Sequence, residues 1–559
     1  MNKIIKIINK EFGNLGQAAL ILGLFNLLSQ ILGLFRDRSI ATVIGPSPML
    51  DAYYAAFRIP DFIFVSVSSL VSITVIIPFI LEKMKDGKVT EETCDFISQL
   101  FTAFLFFIII VCVIVFIFLP NIVHFTAGGF NLDMQNQVVL LSRIMLLSPI
   151  LLGLSNLFGS ITQLFHRFFI YSLSPLVYNI GIIIGVIFLY PRFGIRGMAF
   201  GVVIGALMHF LVQAFSSRKL GFSPHFTKKI DFKNILRVLE ISIPRTLGLS
   251  ANSMALIAIV SFASFLGVGA ISIFTFANNL QTIPQGIVGT SYAVAAFPLL
   301  AQAFAKKSKE EFKKHLTKAA RAIIFWTVPI TFLFIVLRAQ IVRVVLGTNT
   351  FSWENTRLVA AGLALFSLSI MAQSMIALFS RTYYASGNTK KPLYINITCS
   401  ILIVVFSYTL IHLFQNFPYF RYFIESLLRV SDIKGTTVLM LPLAYSLGTI
   451  LNFVLHWISV RKHFMHSEPF ISKAFFQSLG ASFFLGITAY GTLNFLSPVF
   501  GTTTFLGVFF QGLIAGFFGI LVGGFVLYIL KNEEIEELVI NLKTKFWKAE
   551  RIAPPQEEL

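Results

Sequence analysis

Charged and amide side chains are scarce in this chain and fall at telling places. Arg58, Arg143 and Arg245 lie inside strongly apolar stretches, and Arg36-Asp37 close the first of them. Ionisable groups at such depth are costly and face a cavity or a partner. With Asn26 as the origin and about 100° per residue, Ser29, Gln30, Gly33, Arg36 and Asp37 share an arc of about 120° on one helix face. Snorkelling to the outer interface would account for Arg36 and Asp37, but not for Asn26 and Gln30 deeper in. The next stretch carries Asp51, Arg58 and Asp61 around Pro60. There Arg58 could neutralise Asp51 or Asp61 in a kinked helix, or a Pro-unwound backbone could present it to a site. Farther on come Arg245, Gly248 and Asn252, then Asn278, Asn279 and Gln281 before Pro284. Arg143 reads as an interfacial anchor. A cavity lined by Arg36, Arg58 and Arg245, with Ser29, Gln30, Asp37 and Asn279 beside them, is cationic and amide-rich. Guanidinium groups grip phosphate through paired charge-assisted hydrogen bonds. The substrate class this implies is an amphiphile with a phosphate or pyrophosphate headgroup. Asp51, Pro60, Asp61 and Pro284 are the expected structural or gating positions.

The elements that must hold these groups are transmembrane helices. Of 559 residues 56% are hydrophobic and 12% charged, and mean hydropathy is +0.81. A soluble surface needs about twice that charge. At about 20 apolar residues per crossing, about fourteen spans are expected: 15–44, 52–82, 96–125, 138–162, 173–190, 195–216, 237–266, 270–303, 319–344, 356–380, 392–414, 435–460, 471–497 and 502–530. No strand-like alternation competes with them. The first is too long for a cleaved signal segment and reads as a retained span. With both termini inside, about 31 of the 44 basic residues fall on inner loops and about 10 on outer ones. The net charge of +19 is therefore topological, and nucleic acid is excluded as a partner. Cys94, Cys112 and Cys399 form no disulfide framework or metal motif. No nucleotide-binding or hydrolase motif is present and no cofactor is implied, so transport would draw on an ion gradient, the membrane potential or removal of the product.

Pro175-Leu-Val-Tyr-Asn-Ile180 opens the fifth expected span and Pro392-Leu-Tyr-Ile-Asn-Ile397 the eleventh. Pro60 and Pro78 in the second match Pro284 and Pro298 in the eighth. A displacement of six helices keeps topology, which is the parallel kind of transporter repeat. The resulting fold class is all-α and polytopic. It has two pseudo-symmetric six-helix lobes, 1–220 and 221–465, two further transmembrane helices in 466–530, and a cytoplasmic amphipathic tail, 531–559. Residues 414–434 read as an outer loop with a short interfacial helix.

Several of these stretches resemble the MurJ (MviN) family, the lipid II flippases of the multidrug/oligosaccharidyl-lipid/polysaccharide exporter superfamily. Ser29-Gln-Ile-Leu-Gly-Leu-Phe-Arg36-Asp37 is similar to that family's Ser-Arg-x-Leu-Gly-x-x-Arg-Asp. Asp51-Ala52, Ala56-Phe57-Arg58-Ile59-Pro60, Phe276-Ala-Asn-Asn-Leu280, Pro284, Gly286, Pro298, Tyr384-Ala385 and Thr389 to Pro392 continue the likeness. The resemblance implies a V of two lobes opening alternately to each side of the bacterial cytoplasmic membrane. It also implies a groove for a polyprenyl tail along the last two helices and a central cavity for the head of a lipid-linked peptidoglycan precursor. Gln30 and Asn279 stand where the family pattern has Arg, and the family's Arg and Glu-Gly after the Pro60 motif are missing from Phe62 to Leu70. Other readings are a flippase for another lipid-linked oligosaccharide, a multidrug exporter, or a non-transporting scaffold. The partners implied are the lipid-linked precursor, membrane lipids and, for the scaffold, cell-wall enzymes.

Overall fold

A computed structural model describes residues 15–68, 70, 79–80, 83, 90–165, 167–222, 225–227, 230–465, 471–501 and 504–547. Side chains are described for these except at 15–22, 168, 234, 241, 244, 245 and 541–547. The regular structure among the described residues is helical, with no strand, as lipid demands of a backbone that must satisfy its own hydrogen bonds. In chain order the helices are α1 (Leu15–Val43), α2 (Pro48–Ser68), α3 (Glu91–Thr126), α4 (Leu132–Leu164), α5 (Phe169–Phe193), α6 (Ile195–Lys219) and α7 (Phe232–Ser264). Then follow α8 (Ala270–Ala305), α9 (Lys309–Val336), the short α10 (Arg338–Leu346), α11 (Trp353–Ser367), α12 (Ile370–Ala385) and α13 (Lys390–Asn416). The last are α14 (Pro418–Leu428), α15 (Met440–Phe464), α16 (Ser472–Phe500), α17 (Phe505–Ile529) and α18 (Glu533–Trp547).

Eleven described helices are long and apolar enough to cross a membrane, or twelve when α11 and α12, bent by 44°, count as one span. They match the third to fourteenth expected spans in order. The two not counted are the first two expected. The side chains of α1 are described only from Gly23. In α2 the charges Asp51, Arg58 and Asp61 crowd 21 residues, and the continuation, with Pro78, lies outside the described residues. The chain is a multi-pass membrane protein.

Close backbone approach substitutes for the hydrophobic effect between helices in lipid. Gly181 and Gly185 of α5 meet Gly201 and Gly205 of α6, and a Cβ on Gly181 would lie 2.2 Å from the Gly205 Cα. Gly201→Leu would wedge the two backbones apart and is expected to cost at least the upper end of the about 1–3 kcal/mol typical of overpacking. A lower Tm of the purified protein checks this; an unchanged Tm would contradict it.

The expected amphipathic tail forms α18. It docks on the protein through Arg321, which pairs with Glu533 and Glu534 at 2.7 Å each, while Lys318 pairs with Glu537 at 2.8 Å. Ile535 and Leu538 pack against Phe325, Ala481 and Leu527. The short helix expected in 414–434 is α14, which exposes Tyr419, Tyr422 and Phe423. Beyond it, Arg357 forks onto Asp432 at 2.6 Å to each oxygen and holds that carboxyl below the usual range. Arg143 is exposed and stacks on Phe116 at 4.7 Å, a placement suited to an interface.

Candidate functional site

The polar stripe of α1 faces α8, and a proline explains what it finds there. Pro284 cannot donate a backbone hydrogen bond, and the helix widens into a π-turn over Gln285–Thr290. The Gly286 carbonyl accepts from Asn26 Nδ2 at 3.5 Å. Gln30 fills the space against Gly286, where a Cβ would lie 2.9 Å from Gln30 Nε2. Ser29 is half-buried beside them. Two turns on, Arg36 wraps onto its neighbour: its Nε and Nη2 donate to Asp37 Oδ1 at 2.9 and 2.8 Å, and its Nη1 donates to Asn179 Oδ1 of α5 at 3.0 Å. Asp37 Oδ2 accepts from Asn279 Nδ2 of α8 at 3.0 Å. A chain of hydrogen bonds thus runs Asn179–Arg36–Asp37–Asn279, joining three helices and both halves of the sequence.

In α2 the three charged residues have separate fates. Asp51 is fully buried and turned to α8, where Oδ2 accepts from Gly269 N at 2.6 Å and Oδ1 from Ser272 N at 2.8 Å and Ser272 Oγ at 2.5 Å. Gly269 caps α8 with a φ of 83° and has no side chain to satisfy the first turn. Asp51 supplies the missing cap from another helix, at a helix end that favours negative charge. Pro60 leaves the Ala56 carbonyl without its helical donor, and Ser142 Oγ of α4 takes it at 3.1 Å. Arg58 is half-buried and makes no hydrogen bond or ion pair with a described residue; its electrostatic neighbours are Asp61, Tyr54 and Tyr445. Asp51 is therefore not its partner, and Asp61 is the near acid. Arg58 is the guanidinium here with donors to spare, whereas Arg36 is already bonded. Arg245 lies in α7, but its side chain is outside the described residues.

Other bonds between the sequence halves gather at the Asp51 end. Arg38 Nη1 donates to the Val344 and Val345 carbonyls at the C-terminus of α10, at 2.7 and 3.3 Å, and Thr350 Oγ1 donates to the Ala41 carbonyl at 2.6 Å. Away from that end, α7 is tied to α2 by Ser250–Ser66 at 2.9 Å and to Leu70, just beyond α2, by Ser242 Oγ donating to its carbonyl at 3.0 Å. A cavity of about 710 Å³ opens among α7, α8, α12, α13 and α15.

A family model for lipid II flippase MurJ matches residues 40–510. The chain belongs to the MurJ lipid II flippase family. The probable lipid II flippase MurJ of Buchnera aphidicola subsp. Acyrthosiphon pisum is 29% identical over 412 residues, covering 72% of this chain and 80% of that protein. The lipid II flippase MurJ of Burkholderia cenocepacia is 23% identical over 492 residues, 86% of this chain and 91% of that protein. Among solved structures, an inward closed conformation of lipid II flippase MurJ aligns with a TM-score of 0.72 at 23% identity over 93% of this chain and 100% of that one. An inward-facing multidrug resistance MATE family transporter aligns with a TM-score of 0.63 at 15% identity, over 80% and 98%. At these identities the two structures bear on the fold.

Within the MurJ frame, two of the expected departures from the family pattern, Gln30 and Asn279, both lie on the seam between α1 and α8. Asn279 gives Asp37 an amide, so among the described residues Arg36 is the one guanidinium bonded to that carboxylate. Asn179 and Tyr445 were not singled out from the sequence. The signal for Asn179 was present, because it is the asparagine of Pro175-Leu-Val-Tyr-Asn-Ile180. Its repeat counterpart Asn396 likewise makes a bond between helices, accepting from Asn452 Nδ2 at 3.1 Å.

Proposed function

We propose that this protein moves lipid II from the inner to the outer leaflet of the bacterial cytoplasmic membrane by alternating access. The match to the MurJ family across residues 40–510 carries the reading. It is supported by the Arg58 guanidinium, which makes no hydrogen bond or ion pair with a described residue and lies between α2 and α15 near a large cavity. In this scheme two lobes, 1–220 and 221–465, rock about the seam formed by α1, α2, α7 and α8. Residues 466–530 add two helices, and 531–559 lie with the N-terminus on the inner side, where the excess of Lys and Arg belongs. The bonds at Asp51, Asp37 and Arg38 close the outer end, and Arg58, Arg36 and Arg245 bind the pyrophosphate, with Ser29, Gln30, Asp37 and Asn279 completing the substrate-binding set at the seam. The same surroundings disfavour a cationic drug, and the relatives' names do not favour an exporter or a scaffold. Enzymes that consume lipid II at the outer face are the partner class the reading implies.

Complementation tests it. Expression in cells depleted of their own lipid II flippase is expected to restore growth and shape. Growth restored equally by a variant whose two lobes are crosslinked would sink the transport reading in favour of a scaffold.

A further inference from the structure

Away from the central seam, the end of the molecule that the Lys and Arg distribution places outside gathers arginines on α10 and around α14. Two of them are neutralised by acids: Arg357 forks onto Asp432, and Arg421 Nε donates to Glu425 Oε1 at 2.9 Å. Arg338 of α10 and Arg429, which caps the C-terminus of α14, have no ion pair with a described residue. Each makes one bond to a neutral oxygen instead. Arg338 Nη2 donates to the Leu428 carbonyl at 3.3 Å, and Arg429 Nη2 donates across to the Tyr490 hydroxyl of α16 at 3.2 Å. Because Leu428 and Arg429 are consecutive, the two guanidinium groups share one corner, and Arg429 is the charged neighbour of Arg338.

A lone interfacial arginine lifts its head into water, whereas two held side by side repel each other until an anion joins them. Each guanidinium has five N–H donors, and neither has a donor that is both sealed from the surface and unpartnered. The donors left over are therefore open to a ligand. Paired guanidinium groups suit phosphate. Below the pair the surface turns apolar. Tyr490 and its hydrogen-bond partner Asn494 lie on the same face of α16 as the exposed Ile487 and Phe483. This apolar strip leads from the arginines toward the middle of the membrane. Leu337, next to Arg338, packs with Leu493 of α16 and Ala515 of α17 and so seats α10 on both helices. A phosphate at the surface with hydrocarbon chains beneath it is what an outer-leaflet lipid presents.

We propose that Arg338 and Arg429, with the Tyr490 hydroxyl, form a phospholipid site at the outer membrane surface: the guanidinium pair holds the lipid phosphate, and the acyl chains lie along Ile487 and Phe483. Phospholipids make up the leaflet itself, so by mass action theirs is the phosphate that reaches an exposed site. The site stands apart from the central seam and does not depend on the flippase reading. It does bear on the outer closure. Arg338 opens α10, and the last carbonyls of the same short helix accept from Arg38 of α1. A lipid bound at one end of α10 anchors the helix on which that bond between the sequence halves depends.

The test titrates the purified full chain with phosphatidylglycerol and with a diacylglycerol of the same chains, read by native mass spectrometry. The wild type is expected to hold phosphatidylglycerol in clear preference. Combining Arg338→Gln with Arg429→Gln is expected to weaken phosphatidylglycerol at least about ten-fold, the loss of its charge-assisted bonds. Tyr490→Phe is expected to weaken it by less, and Arg143→Gln, at the exposed arginine stacked on Phe116, to leave it unchanged. Arg338→Lys with Arg429→Lys keeps the charge at this corner if the glutamines disturb the fold, and is expected to fall between. Equal binding of the two lipids by the wild type would overturn the site, as would a loss with Arg143→Gln as large as with the paired glutamines. Farnesyl pyrophosphate that displaces phosphatidylglycerol from the wild type at a lower concentration than phosphatidylglycerol itself needs would overturn the phospholipid assignment in favour of a polyprenyl carrier.

Discussion

Arg58→Gln is expected to abolish lipid II transport while leaving the amount of protein in the membrane unchanged. Arg58 is half-buried and carries no hydrogen bond to a described residue, so its removal breaks no bond of the resting fold. What it removes is the fork that would meet a pyrophosphate. Two charge-assisted hydrogen bonds at about 1.5–3 kcal/mol each correspond to a loss of roughly 100-fold or more in affinity for the headgroup. Arg58→Lys keeps the charge but loses the planar pair of donors, and an intermediate loss is expected. Arg36→Ala differs, since it also frees Asp37 and Asn179. It is expected to lower both transport and Tm. Transport by Arg58→Gln at the wild-type rate, measured alongside membrane protein levels, would contradict the placement of the headgroup.

The second large effect is expected at Asp51. Its carboxylate accepts three hydrogen bonds from the first turn of α8, and it does so from a fully buried position. Leucine would leave the Gly269 and Ser272 backbone donors without that cap. At about 1–3 kcal/mol for each buried donor left unsatisfied, the state closed at this end loses at least about 2 kcal/mol, enough to shift a two-state balance by roughly 30-fold. A cysteine placed at Thr275, which is buried one turn below, reports the opening. In a background lacking Cys94, Cys112 and Cys399, an impermeant thiol reagent is expected to label it several-fold faster when Asp51→Leu is present. Asp51→Asn, which keeps the acceptor oxygen, is expected to fall between. Equal labelling rates would show that the contact is not a closing latch.

These two residues also show how far the sequence is readable. Apolar runs are a direct consequence of lipid as solvent, and the expected third to fourteenth spans stand in order as described helices. The first two carry the polar groups of the site and run into residues outside the described ones, so the count of fourteen is not reached among the described residues. The stripe from Asn26 to Asp37 follows from helix periodicity alone, and it does face α8. The partner of Asp51 does not follow from any local pattern, because it is a capping position 218 residues away that depends on Gly269 having no side chain. Likewise Ser142 meets the carbonyl freed by Pro60 only through the packing of α4 on α2. The meeting of Arg338 with Arg429 has no spacing to mark it either, because it depends on how α10 and α14 pack.

Translocation of lipid II by the purified protein in sealed vesicles tests the central claim most directly. Lipid II in the starting leaflet is expected to become accessible at the opposite face with wild-type protein, and to stay where it is with Arg58→Gln. Vesicles in which the wild type leaves lipid II untouched but carries another polyprenyl-linked oligosaccharide across would contradict the account.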